Sequence, residues 1–387
     1  MKIFLFGGVE ETQSIEAKNK INTIINHNKP ILYISLTKKR QNNHPKVKMI
    51  LKDIPVLKIK IIHSKDELIN LPLENYSAIF LEKENPSKLL KDLMNGNIAR
   101  KINQFIENDG IIISENTSSI ALGQCININE NHQKRSYLMG LNLISNFSLI
   151  CQFQQKKDLN NKYLLQFSKK GIIFALPKED MLYYDEGKFE VFGNQPFYII
   201  DDGNIITYDK NQNRKKKFLA IQTPNELMDF MNQNITYGWV DNEDKLHFNN
   251  LKHFREQYKT STLDKILEFG IGTCIEQTKI IKSFLDRIGL ENKLYCYRGY
   301  ESENHFEKEV RMHCFILFKE KNKWYHFEHS NRQKRGIHQY DNIDSAIKNT
   351  ISRFEKNDIR KLTEIPKIPD QLTFKEFNQY VNSFDSQ

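Results

Sequence analysis

The sequence predicts an α/β domain followed by an α+β domain, and three observations carry that prediction. In the first half, short apolar runs recur with helix-like segments between them. In the second half, helical patterns come first and strand patterns follow. Between the halves lies a polar, basic run, Asn211 to Phe218, without periodicity, which reads as a linker. With 387 residues the chain is long enough for two or three domains with real cores, and the expected division is 1–217 and 218–387.

Bulk properties narrow the class. Hydrophobic residues make up 39% and charged residues 27%, and no apolar run approaches the roughly 20 residues of a membrane span. Met1 to Phe6 reads as a first buried strand, not a signal peptide. Five cysteines, an odd number without a Cys-x-x-Cys pair, fit a reduced cytoplasmic chain better than a disulfide scaffold. The net charge of +9 comes from lysines scattered through an Asn- and Lys-rich sequence, so no specific nucleic-acid partner is expected.

The first half supplies strand candidates at Ile3–Phe6, Ile31–Ser35, Leu57–Ile62, Ala78–Leu81 and Gly110–Ile113, with helical patterns at Ile21–Ile25 and Leu89–Phe105. Continuously apolar strands imply a parallel sheet covered on both faces, with chemistry at the carboxyl ends of its strands. Two such ends stand out, Glu82-Lys83-Glu84-Asn85 and Ser114 to Ser119.

These segments, with Gly140-Leu-Asn-Leu-Ile144 and Pro177 to Gly203, make residues 1–210 resemble the peptidase E and cyanophycinase family of serine hydrolases. The resemblance implies a flavodoxin-like sandwich of the class I glutamine amidotransferase type. Asn116 occupies the position of the nucleophilic serine, and Glu82, Lys83 and Glu84 replace the glycines of the oxyanion turn. Cys151-Gln152-Phe153 occupies the place of the catalytic histidine. An elbow nucleophile needs a base and small neighbours, so this half reads as a degenerate hydrolase domain kept for binding, docking or support. A shift of two residues would offer Ser118 instead, still without a histidine.

The second half begins with a capping box at Thr223-Pro-Asn-Glu226, opening a helix over Pro224–Asn232. Asn234 to Trp239 reads as an aromatic turn. Helical stretches follow at Leu251–Tyr258 and Ser261–Phe269. Thr273 and Glu276 form another capping box, which makes Cys274 the first residue of a helix continued by Ile280, Ile281, Phe284, Leu285 and Ile288 and stopped by Gly289. A thiol there meets unpaired amides and the positive end of the helix dipole, and both favour thiolate. Gly270 and Gly272 would let the backbone approach a substrate carbonyl. The alternative is a buried structural cysteine.

Strand patterns follow at Lys293–Arg298, Met312–Phe318 and Trp324–His329. His313, Phe315 and Leu317 share one face of their strand, and Trp324, His326 and Glu328 one face of theirs. If Lys319 to Asn322 forms the hairpin with Phe318 opposite Lys323, His313 faces Glu328 directly. A carboxylate there would orient the imidazole and stabilise its cation, although a lone His–Glu pair is also a common surface contact. Cys, His and acid in that order form the constellation of thiol acyl-transfer enzymes. Cys314, beside His313, points to the opposite face, and Cys296 lies in a strand; both read as core.

Gly272-Thr-Cys-Ile-Glu-Gln277, Met312-His-Cys-Phe-Ile-Leu317 and Phe327-Glu-His-Ser330 make nearly all of 221–350 resemble a transglutaminase-like cysteine enzyme domain of papain-like α+β fold. Gly336-Ile-His-Gln-Tyr340 is similar to a small bacterial subgroup. The resemblance implies Cys274 as nucleophile, His313 as base and acid, and Glu328 as orienting carboxylate, a position where most of that superfamily has Asp. It implies a peptide or protein substrate with an amide or isopeptide bond, and leaves hydrolysis and transfer to an amine both open. No cofactor is expected. Nor is a metal, since Cys274, His313, His326 and His329 lack ligand spacing. No membrane association is expected, and self-association is compatible with the sequence. The competing reading is a non-catalytic binding or regulatory protein built from two retired enzyme domains.

Overall fold

A computed structural model of the chain describes residues 1–8, 15–36, 55, 58–94, 96–130, 134–144, 147–154, 162–193, 195–208, 212–248, 251, 253–300, 310–352 and 359–384. The chain divides into two compact units, Met1–Lys210 and Asn211–Gln387.

In the first unit, β1 (Lys2–Phe6), β2 (Ile31–Ile34), β3 (Ile59–Ile62), β4 (Ala78–Leu81) and β5 (Ile111–Glu115) pair in parallel in the order β3-β2-β4-β5-β1. Among the described residues, helices follow β1, β3 and β4 and return the chain, which makes the strands they join parallel. The apolar runs of β1, β2, β4 and β5 are buried, whereas β3, at the sheet edge, buries only Ile62; Phe4, Tyr33, Phe80 and Ile113 form the centre of one core cluster. Helices α1 (Ile15–Ile24), α2 (Lys65–Asn70), α3 (Pro86–Leu93) and α4 (Gly96–Glu107) make the crossovers. The pattern over Leu89–Phe105 is thus two helices, with Met94 capping α3 before Gly96 opens α4.

Beyond β5, the short helix α5 (Thr117–Leu122) leads to the antiparallel pair β6 (Cys125–Glu130) and β7 (Lys134–Met139). Next come β8 (Phe147–Cys151), helix α6 (Lys162–Ser168) and β9 (Ile172–Leu176), with β8 and β9 parallel. Two hairpins close the unit. One joins β10 (Met181–Asp185) to β11 (Lys188–Phe192) and lays β10 antiparallel against β1; the other joins β12 (Phe197–Asp201) to β13 (Asn204–Tyr208).

The second unit opens on a difference from the linker expected at Asn211–Phe218. Arg214–Ala220 is a helix, α7, capped by the Asn213 side chain, and Phe218 is a core residue. Lys and Arg are good helix formers, and seven residues are too few to show a periodicity. Helix α8 (Pro224–Asn234) carries the expected capping box. The stretch read as an aromatic turn is a strand, β14 (Thr236–Val240), paired with β15 (Leu246–Phe248). Helices α9 (Phe254–Gln257) and α10 (Leu263–Phe269) lead through a two-residue strand, β16 (Ile271–Gly272), into α11 (Cys274–Arg287).

The antiparallel sheet that follows has the order β20-β19-β18-β17-β21, from β17 (Asn292–Tyr300), β18 (Val310–Glu320), β19 (Lys323–Glu328), β20 (Gly336–Tyr340) and β21 (Ile359–Ile365). Helix α11 packs Ile280, Ile281, Phe284 and Leu285 against Ile316, Phe318 and Phe327. Helix α12 (Ile343–Ser352) belongs with the cluster of Tyr295, Phe315, Leu317 and Trp324 on the other face. Helix α13 (Phe374–Asn382) closes the unit. No helix among the described residues is long and apolar enough to cross a membrane.

Candidate active site

Cys274 stands first in α11 because its neighbours leave no alternative start. Thr273 caps the helix and accepts from the Ile275 amide at 3.2 Å. Glu276 reaches back to the Thr273 amide at 3.0 Å and its hydroxyl at 2.6 Å. The same carboxylate accepts from the Tyr258 hydroxyl and from the Ser261 amide, so a 1% exposed Glu276 is fully engaged behind the nucleophile candidate. Gly270 caps α10 at φ 65°, where a Cβ would lie 2.6 Å from the Asn234 carbonyl oxygen. At Gly272 a Cβ would lie 2.5 Å from that of Glu276. Both glycines therefore serve the junction between elements.

The hairpin differs from its expected register by two residues. Lys321 and Asn322, both at positive φ (49° and 62°), make a two-residue turn, and Phe318 pairs with Tyr325. That register sets Glu328 opposite Phe315 and diagonal to His313. A two-residue slip keeps every side chain on its face, so the two still meet, His313 Nε2 donating to Glu328 Oε2 at 3.1 Å. Diagonal partners are roughly 7–8 Å apart at the backbone, which accounts for the longer arm of Glu in this position.

The carboxylate is held from every side. Its Oε1 accepts from the Ser330 hydroxyl and the Asn331 amide, each at 2.9 Å, and His326 Nε2 lies 3.7 Å from Oε2. Burial favours a neutral Glu328, but the hydrogen bond and charge of His313 outweigh it and hold the carboxyl well below its usual range. Burial likewise opposes charge on His313. The hydrogen bond that His313 makes to Cys274, and the hydrogen bond and charge of Glu328, overcome that and push the imidazole up to about 10. Cys274, 8% exposed, also points its sulfur at the Met312 carbonyl, 3.8 Å away. The three side chains thus form one hydrogen-bonded series in which His313 joins Cys274 to Glu328.

Each unit has structural relatives of its own. The first segment resembles peptidase E-like structures, and the second a Cys-His-Glu acetyltransferase. A peptidase from an acI-B1 actinobacterium is 13% identical, over 55% of this chain and 95% of its own, with a TM-score of 0.43. A peptidase E-like protein of Listeria monocytogenes EGD-e is 13% identical, over 49% of this chain and 96% of its own, with a TM-score of 0.38. An arylamine N-acetyltransferase of Bacillus cereus, described as having a unique Cys-His-Glu catalytic triad, is 18% identical over 30% of this chain and 48% of its own, with a TM-score of 0.21. No family model matches the chain, and no curated protein matches it. Likeness at this level establishes no chemistry; that rests on the side chains of this chain.

Two features near the site escaped the sequence reading. Tyr237 lies on β14 beside Gly272, and its phenol is kept protonated by burial and by the nearby charges of Cys274, Glu276 and Glu328. Its position follows from a parallel pairing with a two-residue strand, which no periodicity announces. The second is a bridge from α11 to the end of β19. Gln277 donates to the Gly272 carbonyl at 2.8 Å and accepts from His329 Nδ1 at 2.7 Å, both side chains being buried. Burial, then the charge of Arg335, keeps His329 uncharged. The bridge ties the loop before Cys274 to the residue after Glu328. Replacing Gln277 by leucine is expected to slow alkylation of Cys274 about 10- to 100-fold, measured by timed intact-mass labelling of wild type and variant.

The pH dependence of stability has a definite sign. The contribution of Glu328, whose folded value is depressed, is complete above its ordinary 4.5 and is lost as pH falls. That of His313, whose folded value is raised, is complete below 6.5 and is lost as pH rises through about 10. The stability gap between wild type and Glu328→Gln is therefore expected to be largest between these limits and to narrow toward pH 10, as melting temperatures across that range will read.

In the first unit, Asn116 sits at the β5–α5 junction with φ 54° and ψ −118°, a strained strand-to-helix elbow. It is buried, as is Ser118, whose hydroxyl accepts from the Glu84 amide at 3.0 Å and donates to the Glu82 carbonyl. Ser118 is thus used to fasten the Glu82–Asn85 turn. Cys151, on β8, has its thiol pushed up to about 12 by burial.

Proposed function

We propose that the second unit is a thiol enzyme acting on amide or isopeptide bonds. The observation that carries the reading is the hydrogen-bonded series Cys274–His313–Glu328 at the start of a capped helix. The Cys274 thiolate attacks the carbonyl carbon. His313, an imidazolium held by Glu328, donates its proton to the leaving amine and later takes one from the incoming water or amine. The tetrahedral oxyanion is stabilised by the amide at the head of α11 and by the protonated Tyr237 hydroxyl. The acyl-enzyme passes its acyl group to water or to an amine.

The first unit, with Asn116 in the elbow and Ser118 committed to a turn, is a catalytically inactive domain that binds substrate or restrains access. Activity-based profiling with peptide libraries, comparing wild type with Cys274→Ser, tests the reading. Covalent acyl adducts on wild type alone are expected. Equal profiles for the two proteins would favour a binding or regulatory protein built from two retired domains.

A further inference from the structure

Two more thiols lie beneath the site, and the proposed chemistry uses neither. Cys296 and Cys314 are directly opposite residues of β17 and β18, and both are buried in the cluster that contains Cys274 and Ile275. Both are free, with sulfurs 2.8 Å apart. Opposite residues of antiparallel strands have Cα atoms about 4.5–5.5 Å apart, within the roughly 4.4–6.8 Å that a disulfide spans. A small rotation of the two side chains is all that bonding requires.

We propose that Cys296 and Cys314 are a modification site, forming a reversible cross-strand disulfide that staples β17 to β18 beside His313. The oxidant class is a small hydroperoxide. One thiol is oxidised to the sulfenic acid with release of one water, and the other displaces a second water from it. One S–S bond forms, two S–H bonds and the O–O bond break, and two electrons pass to hydrogen peroxide. The position gives the bond a consequence, because His313 and its partner Tyr297 are the next pair along the same ladder. The Cys314 carbonyl also accepts from Thr278 of α11 at 3.0 Å, so a shift at Cys314 reaches the helix that carries Cys274. Burial pushes the Cys314 thiol up and slows its oxidation, so the pair closes more slowly than an exposed thiolate reacts.

The test uses the full chain with Cys274→Ser, so its outcome does not depend on whether Cys274 is a nucleophile. Hydrogen peroxide is added, and timed samples are unfolded, alkylated with iodoacetamide and mapped by peptide mass spectrometry without reductant. The expected result is a peptide pair linked through Cys296 and Cys314, two fewer alkylated thiols, and full recovery with dithiothreitol. The linked protein is expected to melt several degrees higher. Both residues staying alkylatable throughout, either one linking to a different cysteine, or linkage without the rise in melting temperature would overturn the proposal.

Discussion

Cys274→Ala is expected to lose acyl transfer by on the order of 10⁴- to 10⁶-fold while keeping the fold. The loss is large because the described residues offer no substitute nucleophile at this site. Cys314 is turned into the core against Cys296, and Thr273 and Thr278 have hydroxyls engaged with Glu276 and with the Cys314 carbonyl. The fold survives because only one sulfur is removed. Cys274 is 8% exposed at a helix start whose capping box involves Thr273 and Glu276, so the thiol is not needed to begin the helix. The expected stability cost is about 1 kcal/mol. Turnover of a library-derived substrate, with urea unfolding of both proteins, measures the two effects separately. An inactive variant that had also lost several kcal/mol would make Cys274 a core residue first and a nucleophile second.

Glu328→Gln is expected to produce the second largest loss, on the order of 10²- to 10⁴-fold in kcat. Glutamine keeps the shape and one acceptor oxygen, so the Ser330 and Asn331 contacts persist. What goes is the negative charge that outweighs burial at His313. Without it, burial wins and the imidazole gives up its proton at lower pH, so at neutral pH the acid that should protonate the leaving amine is missing. Glu328→Ala goes further, leaving a buried imidazolium unpaired, with an expected destabilisation of about 3–5 kcal/mol below neutral pH. Rate profiles against pH for wild type and Glu328→Gln distinguish this from simple loosening, which would lower the rate without moving the profile.

The site was legible where it depends on local pattern. A capping box locates the start of a helix, and period-two alternation assigns His313 and Glu328 to strand faces, whatever the exact register. The register itself was not legible, because Lys319 to Asn322 offers two turn lengths and only the positive φ of Lys321 and Asn322 selects between them. The slip did no harm to the pairing because it was an even number of residues. Tyr237 and the Gln277–His329 bridge were invisible for a different reason. They depend on contacts between segments far apart in the chain, β14 with β16 and α11 with the end of β19. In the first unit the apolar runs announced the parallel strands, whereas the seven residues of α7 and the strand of β14 were too short for a period to show.

The central claim is that Cys274, His313 and Glu328 act as one charged unit, and the alkylation rate of Cys274 against pH tests it most directly. Timed intact-mass labelling with iodoacetamide from about pH 5 to pH 9 gives the profile, with Cys274→Ala identifying the adduct. The account predicts a rate that stays nearly level below neutral pH in wild type and drops in Glu328→Gln. A wild-type rate falling about tenfold per pH unit below 8.5, as an ordinary thiol does, and unaffected by Glu328→Gln, would contradict it.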